Sequence, residues 1–215
     1  MRDRDVRVAL HSRLLDEHAN DLDSTLFVDE LGLCGQVRVD VAVVNAALSG
    51  FELKSASDTL RRFPTQVDIY SRVLDFCTVV VAECHLDRAL EMVPTWWGCI
   101  AARWDGESVV LDEVTPPAMN RGVDGFALAQ LLWREETLAA LESLDAAKGF
   151  RTKPRDALWR RLVDVTDVDQ LRVVVREQLK ARQRWRVGSN SIQSGRALAV
   201  DGAGYQRSPM SVETP

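Results

Sequence analysis

Three charged residues stand close together in a region otherwise built for burial. Glu52 and Lys54 flank Leu53, and Asp40 lies upstream inside a valine-rich run. In a strand, residues i and i+2 share a face, so Glu52 and Lys54 point the same way. Across 36–45, Val37, Val39, Val41 and Val43 alternate with Arg38, Asp40 and Ala42, which reads as a strand with the valines on one face. A break at 46–50 joins this strand to the next as an antiparallel hairpin. On such a hairpin Asp40 and Glu52 converge, with directly opposed Cβ atoms about 5 Å apart. Two carboxylates that close repel unless a cation joins them. A hard divalent ion such as Mg²⁺, which takes one or two carboxylates plus waters and phosphate oxygens, suits the pair. Lys54 beside it would orient an attacking water or help deprotonate it. The plainer reading is a solvated strand face with a cross-strand ion pair. The apolar flanks Phe51 and Leu53, and a helix expected over the sheet, weigh against it, because covered faces seldom hold unexplained charges.

The elements that position these residues follow from apolar spacing. Val6, Ala9, Leu10, Leu14 and Leu15 predict a helix from Asp5 to about His18. Residues 24–33 are strand-like. Residues 57–74 read as a helix whose continuous part starts at Pro64, an allowed first-turn position. A β-branched run at 76–83 predicts a buried strand, 86–93 a short helix, and 94–114 a hairpin turning at Asp105–Gly106. Prolines and glycines at 115–125 mark a linker or domain edge. Helices are expected at 126–144, 153–165 and 167–185, the last capped by Asp167. The stretch after Arg186 is Ser/Gly-rich and aperiodic, which predicts disorder. The fold class is α/β with a mixed sheet, followed by an all-helical unit. The expected divisions are 1–115, 116–187 and a tail at 188–215.

Asp40 together with the Glu52–Leu53–Lys54 triplet on a hairpin resembles the PD-(D/E)XK nuclease superfamily. Gln66 and Tyr70, one helical turn apart on the next helix, add the Q-x₃-Y motif of its RecB-like branch. The stretch 28–70 is similar to a bacterial family of small nuclease-like proteins, and the resemblance covers roughly residues 1–110. Val39 stands where the superfamily has its nominal proline. The resemblance implies a restriction-endonuclease-like αβββαβ core and Mg²⁺- or Mn²⁺-dependent hydrolysis of DNA phosphodiester bonds, in repair, mobile elements or defence. It implies that Asp40, Glu52 and the Leu53 carbonyl bind the metal and that Lys54 serves the nucleophile. Gln66 and Tyr70 would orient ligands or contact DNA. A further acid is expected, with Glu30 preferred over Glu17. The alternative is a non-cleaving nucleic-acid-binding or regulatory protein on the same fold.

The 215 residues carry a net charge of −5, which gives no global sign of nucleic-acid binding. Locally the picture differs: 148–186 holds twelve basic and five acidic residues. Lys148, Arg151, Lys153, Arg155, Arg160 and Arg161 are candidate contacts to a DNA backbone. Their loop between two helices is loosely similar to SAP-type DNA-binding units; the alternative is a helical cap with solvated arginines. Trp96 and Trp97 are expected to pack on the sheet. No apolar run approaches the ~20 residues of a membrane span, and the charged N-terminus has no secretory core, so a cytoplasmic protein is expected. Cysteines 34, 77, 84 and 99 lack C-x-x-C spacing and are expected as free thiols, without zinc. The reading leaves a homodimer open.

Overall fold

The computed structural model describes residues 2–186. Through Lys180 they belong to one compact unit; a second unit starts at Ala181, and the tail expected at 188–215 lies outside the described residues. The first unit is α/β. Its elements are α1 (Asp3–Glu17), β1 (Leu26–Leu33), β2 (Val37–Val44), β3 (Leu48–Lys54), α2 (Phe63–Val73), β4 (Phe76–Ala82), α3 (Leu86–Met92), β5 (Gly98–Trp104) and β6 (Val109–Thr115). Helices α4 (Gly125–Ala129), α5 (Arg134–Ser143), α6 (Arg155–Val165) and α7 (Val168–Arg186) follow. The strands form one mixed sheet in chain order. β1, β2 and β3 pair antiparallel, β3, β4 and β5 parallel, and β5 and β6 antiparallel.

Each face of the sheet has its own apolar layer. Val6, Leu10 and Leu14 of α1 pack on Val41, Val43, Leu53, Val80 and Ile100. The other face, carrying Val39, Ala42, Val44, Leu48, Val79 and Val81, is covered by α2 and by the C-terminal helices. α2 settles tightly on it because Gly50 has no side chain: a Cβ there would lie 2.4 Å from Leu74 Cδ1. The turn before β3 is shorter than the predicted break, since β3 begins at Leu48 and Asn45 Oδ1 accepts the Ala47 amide at 3.0 Å.

The predicted valine row does not keep to one face. Val41 and Val43 join the α1 layer, whereas Val39 joins the α2 layer. β1 changes in step: Phe27 packs with α1, but Leu31 and Leu33 pack with α2. The switch falls at Glu30, whose φ of 55° is left-handed, opposite Asp40 in the register that pairs Asp29 with Val41 and Leu31 with Val39. One left-handed residue breaks the period-2 alternation, so parity resets beyond it.

The predicted 126–144 helix is two helices. Asp124 caps α4 by accepting the Phe126 and Ala127 amides, and Trp133 leaves the helical region before α5 begins, its amide held by Glu136. Asp167 caps α7 as expected, accepting the Gln170 amide at 2.7 Å. The expected edge at 115 marks the change from strands to helices and is no break in the core: Leu128, Leu132, Leu158, Leu171 and Val175 share one cluster with the sheet. A buried carboxylate joins the two parts. Asp75, before β4, accepts the Leu48 amide at 2.8 Å and meets Arg172 Nε of α7 at 2.8 Å as a charge contact. The Asn120 amide donates to the Asp75 carbonyl, and Asn120 Nδ2 donates to the carbonyls of Ser71 and Leu74.

Candidate active site

The register β2–β3 runs from Val44↔Leu48 to Val41↔Phe51. One step further the two strands part, and Asp40 and Glu52 flank the opening. Asp40 Oδ2 reaches across it and accepts the Leu53 amide at 2.8 Å. Leu53 thus turns its N–H toward Asp40, and the charge of Asp40 reaches Glu52 across the opening. The split also frees backbone groups of β2. The Arg38 carbonyl accepts from the Tyr70 hydroxyl at 2.6 Å, and the Asp40 carbonyl accepts from Arg7 Nη1 at 2.7 Å. A helix on each face thus satisfies the groups left by the interrupted ladder.

Gln66 and Tyr70 sit on the face of α2 that meets β3. Gln66 Nε2 donates to Glu52 Oε1 at 2.6 Å, and its Oε1 accepts from Lys54 Nζ at 3.0 Å. Lys54 also pairs with Glu52 Oε1, and its ammonium lies 5.5 Å from the Phe63 ring centroid. Tyr70 is fully buried, stacked 6.0 Å from Trp97. Trp97 donates from Nε1 to Ser71 Oγ at 3.1 Å, so it packs against α2, in the buried cluster that α2 shares with the sheet. Four of the five predicted catalytic side chains thus form one connected group, and Asp40 stands beside it.

Glu52 is 1% exposed. Burial, reinforced by the negative charge of Asp40, raises its carboxyl to about 7, against the pull of Lys54 and Tyr70. Burial also raises Asp40, and the Leu53 amide and Arg7 only partly offset it. Hydrogen counting points the same way. The Tyr70 hydroxyl has one hydrogen and faces two acceptors, the Arg38 carbonyl and Glu52 Oε2. Both contacts are satisfied together when Glu52 carries a proton and donates it to the Tyr70 oxygen.

The donor set fits a hard divalent ion in part. Asp40 and Glu52 offer carboxylate oxygens, with Asp40 close enough for its charge to raise the Glu52 carboxyl. Among the described residues, however, no group of three or more acidic, His or Cys side chains is arranged to hold a metal. Glu30, the preferred further acid, pairs through Oε1 with Arg7 Nη2 at 3.3 Å and lies near enough for its charge to raise Asp40. Glu17 pairs with Arg13, which reaches over to Leu111 and Glu113 on β6, away from Asp40. What fits is two carboxylates and the edge of Leu53. The four cysteines are free, with Cys77 and Cys99 buried, Cys34 partly buried and Cys84 exposed.

Arg7 was not legible as a site residue. Its guanidinium contacts Asp3, Asp29, Glu30 and Asp40. Burial opposes its charge, but these carboxylates outweigh that and raise its pKa. His11, one turn on, lies 2.9 Å from Asp29 Oδ1 and holds that carboxyl below its ordinary value. The available sequence signal was the charge of Arg7 beside the buried Val6.

The six predicted DNA contacts lie along the α5–α6 connection and α6. Lys148, Arg151, Lys153, Arg155 and Arg160 are exposed. Arg155 lies over Trp159, Arg160 over Phe126 and Arg161 over Phe150, at 4.6, 4.7 and 5.4 Å. Arg151 pairs with Glu142 at 3.0 Å. Among the described residues, no ion pair joins the six to Asp40 or Glu52. Further along, Arg172 and Arg176 are spent on Asp75 rather than on a ligand surface.

The family model described as bacteriophage P4 protein cII matches residues 1–194. The chain belongs to that family. No curated protein matches it. Among solved structures it is similar to SPO1766, a protein of unknown function from Silicibacter pomeroyi, at 17% identity and a TM-score of 0.42, over 72% of this chain and 98% of that one. Among the described residues, no helix is long and apolar enough to cross a membrane.

Proposed function

We propose that this member of the P4 cII family is a Mg²⁺- or Mn²⁺-dependent nuclease that cuts phosphodiester bonds in DNA, on a restriction-endonuclease-like core. One observation carries the reading. Asp40 of β2, Glu52 and Lys54 of β3, and Gln66 and Tyr70 of α2 meet at the point where β2 and β3 part. The element order α1-β1-β2-β3-α2-β4 is the one expected of that core.

Asp40 and Glu52, with the Leu53 carbonyl, would hold the ion. A bound ion would stabilise charge growing on the scissile phosphate and lower the pKa of a water. Glu52 must release its proton to act as a ligand, so activity is expected to rise with pH through about 7. Lys54, held by Glu52 and Gln66, orients the nucleophile and offsets its charge. Tyr70 and Gln66 fix the Glu52 carboxylate. The exposed basic residues of α6 and the connection before it supply a surface for the DNA backbone.

A second reading is a non-cleaving nucleic-acid-binding or regulatory protein. The observation that favours it is self-neutralisation: Glu52 is buried with both oxygens engaged, and Asp40 is engaged by Arg7 and the Leu53 amide. Linear, nicked, branched and single-stranded DNA, incubated with and without Mg²⁺ or Mn²⁺, separate the two readings. The nuclease reading expects ion-dependent products from the native chain and none from Lys54→Ala. Equal cutting by both would refute the mechanism. Binding without cutting would establish the second reading.

A further inference from the structure

Asp40 has two carboxylate oxygens, and they are not equivalent. Oδ2 accepts the Leu53 amide at 2.8 Å. Oδ1 is held by Arg7 Nη2 at 3.2 Å, while Nη1 of the same guanidinium takes the Asp40 carbonyl at 2.7 Å. Neither contact fills its oxygen's two lone pairs, but an ion drawn to Oδ1 meets the Arg7 guanidinium there, whose positive charge opposes a divalent cation. Arg7 also has somewhere else to go. Asp3, Asp29 and Glu30 lie 3.6, 3.6 and 3.3 Å from its nitrogens, and their side chains are about half exposed, whereas that of Asp40 is 21% exposed. The left-handed Glu30 helps create this arrangement, because the parity switch there brings Glu30 and Asp40 to one guanidinium.

We propose that Arg7 is a latch on the ion site: it holds Asp40 Oδ1 when no ion is bound, and swings onto Asp3, Asp29 and Glu30 when a divalent ion takes that oxygen. The inference rests on the nuclease reading's assignment of Asp40 as a ligand. It makes Arg7 a positioning residue and gives α1 control over ion affinity. Lysine cannot replace it fully, since a single ammonium does not reproduce the two-pronged grip on the carbonyl and Oδ1.

The test is calorimetric titration of Mn²⁺ into the folded chain without DNA, for native protein, Arg7→Gln, Arg7→Lys, Arg13→Gln and Asp40→Asn. Arg7→Gln is expected to bind Mn²⁺ about tenfold more tightly than native, the scale of one charge-assisted hydrogen bond no longer in competition. Arg7→Lys is expected to gain about threefold, and it carries the test alone if Arg7→Gln fails to fold. Arg13→Gln removes the same charge from α1 without touching Asp40 and is expected to bind as native does. If Asp40→Asn abolishes binding but the Arg7 variants bind no more tightly than native or Arg13→Gln, the latch is refuted and the ion site stands. If no variant binds Mn²⁺, or Asp40→Asn binds as native does, the ion site itself fails and the latch with it.

Discussion

Glu52 and Asp75 are both 1% exposed; Glu52 lies near the end of β3, and Asp75 bonds the start of that strand. Their partners differ in kind. Asp75 faces Arg172 and Arg176, accepts the Leu48 amide, and ties β3, the 116–124 segment and α7 together. Its charge is matched by fixed cations. Glu52 has one cation, Lys54, two neutral partners, Gln66 and Tyr70, and a second carboxylate nearby that makes ionisation harder. A buried acid surrounded by arginines and backbone amides is a fastening. A buried acid that keeps a proton near neutral pH, next to another acid and a lysine, is equipped to exchange that proton for something else.

The contrast can be broken first at Asp75. Asp75→Ala leaves the largely buried Arg172 with only the exposed Asp169 as counter-charge and should cost about 3 kcal/mol in chemical denaturation; a loss below about 1 kcal/mol would remove Asp75 as a fastening. Glu52→Gln should behave differently. A carboxyl raised from 4.5 to about 7 holds its proton longer in the folded chain than in the unfolded one. Its stabilising contribution is therefore full below pH about 4.5 and declines as pH rises to about 7. Relative to Glu52→Gln, the native chain should lose about 3 kcal/mol across that window, and parallel stability curves would contradict the protonated site. Tyr70→Phe removes the donor to the Arg38 carbonyl and should cost about 1–2 kcal/mol by urea denaturation. The smallest stability effect belongs to Lys153→Ala on the exposed connection. Folding should change by less than about 0.5 kcal/mol, while the salt dependence of DNA binding should fall by about one unit of log–log slope. An unchanged slope would take Lys153 out of the interface.

Much of the Glu52 end could be read from the chain because its logic is local. Glu52 and Lys54 are two apart on a strand, and Gln66 and Tyr70 are four apart on a helix, so period alone placed each pair on one face. Arg7 escaped because its role depends on the parity switch at Glu30, which a period-2 reading of Val37 to Val43 cannot show. Glu30 is expected as a ligand from its place beside the hairpin; its left-handed backbone accompanies a pairing with Arg7, the guanidinium that also holds Asp40. The Asp75 end was illegible for another reason: its partners at 48, 120, 172 and 176 are far apart in sequence and carry no shared pattern. For the same reason the prolines and glycines at 115–125 read as a domain edge, although Asn120 in that stretch bonds Ser71 and Leu74.

The most direct test of the proposed nuclease reading, at the Glu52 end, is the rate of Mn²⁺-dependent DNA cleavage per folded molecule, measured side by side for the native chain, Lys54→Met and Asp75→Asn; no cleavage by the native chain would contradict the reading itself. The expected result is a folded, inactive Lys54→Met and a less stable Asp75→Asn that cuts at close to the native rate. Native-rate cleavage by Lys54→Met would contradict the assignment of chemistry to Glu52 and Lys54.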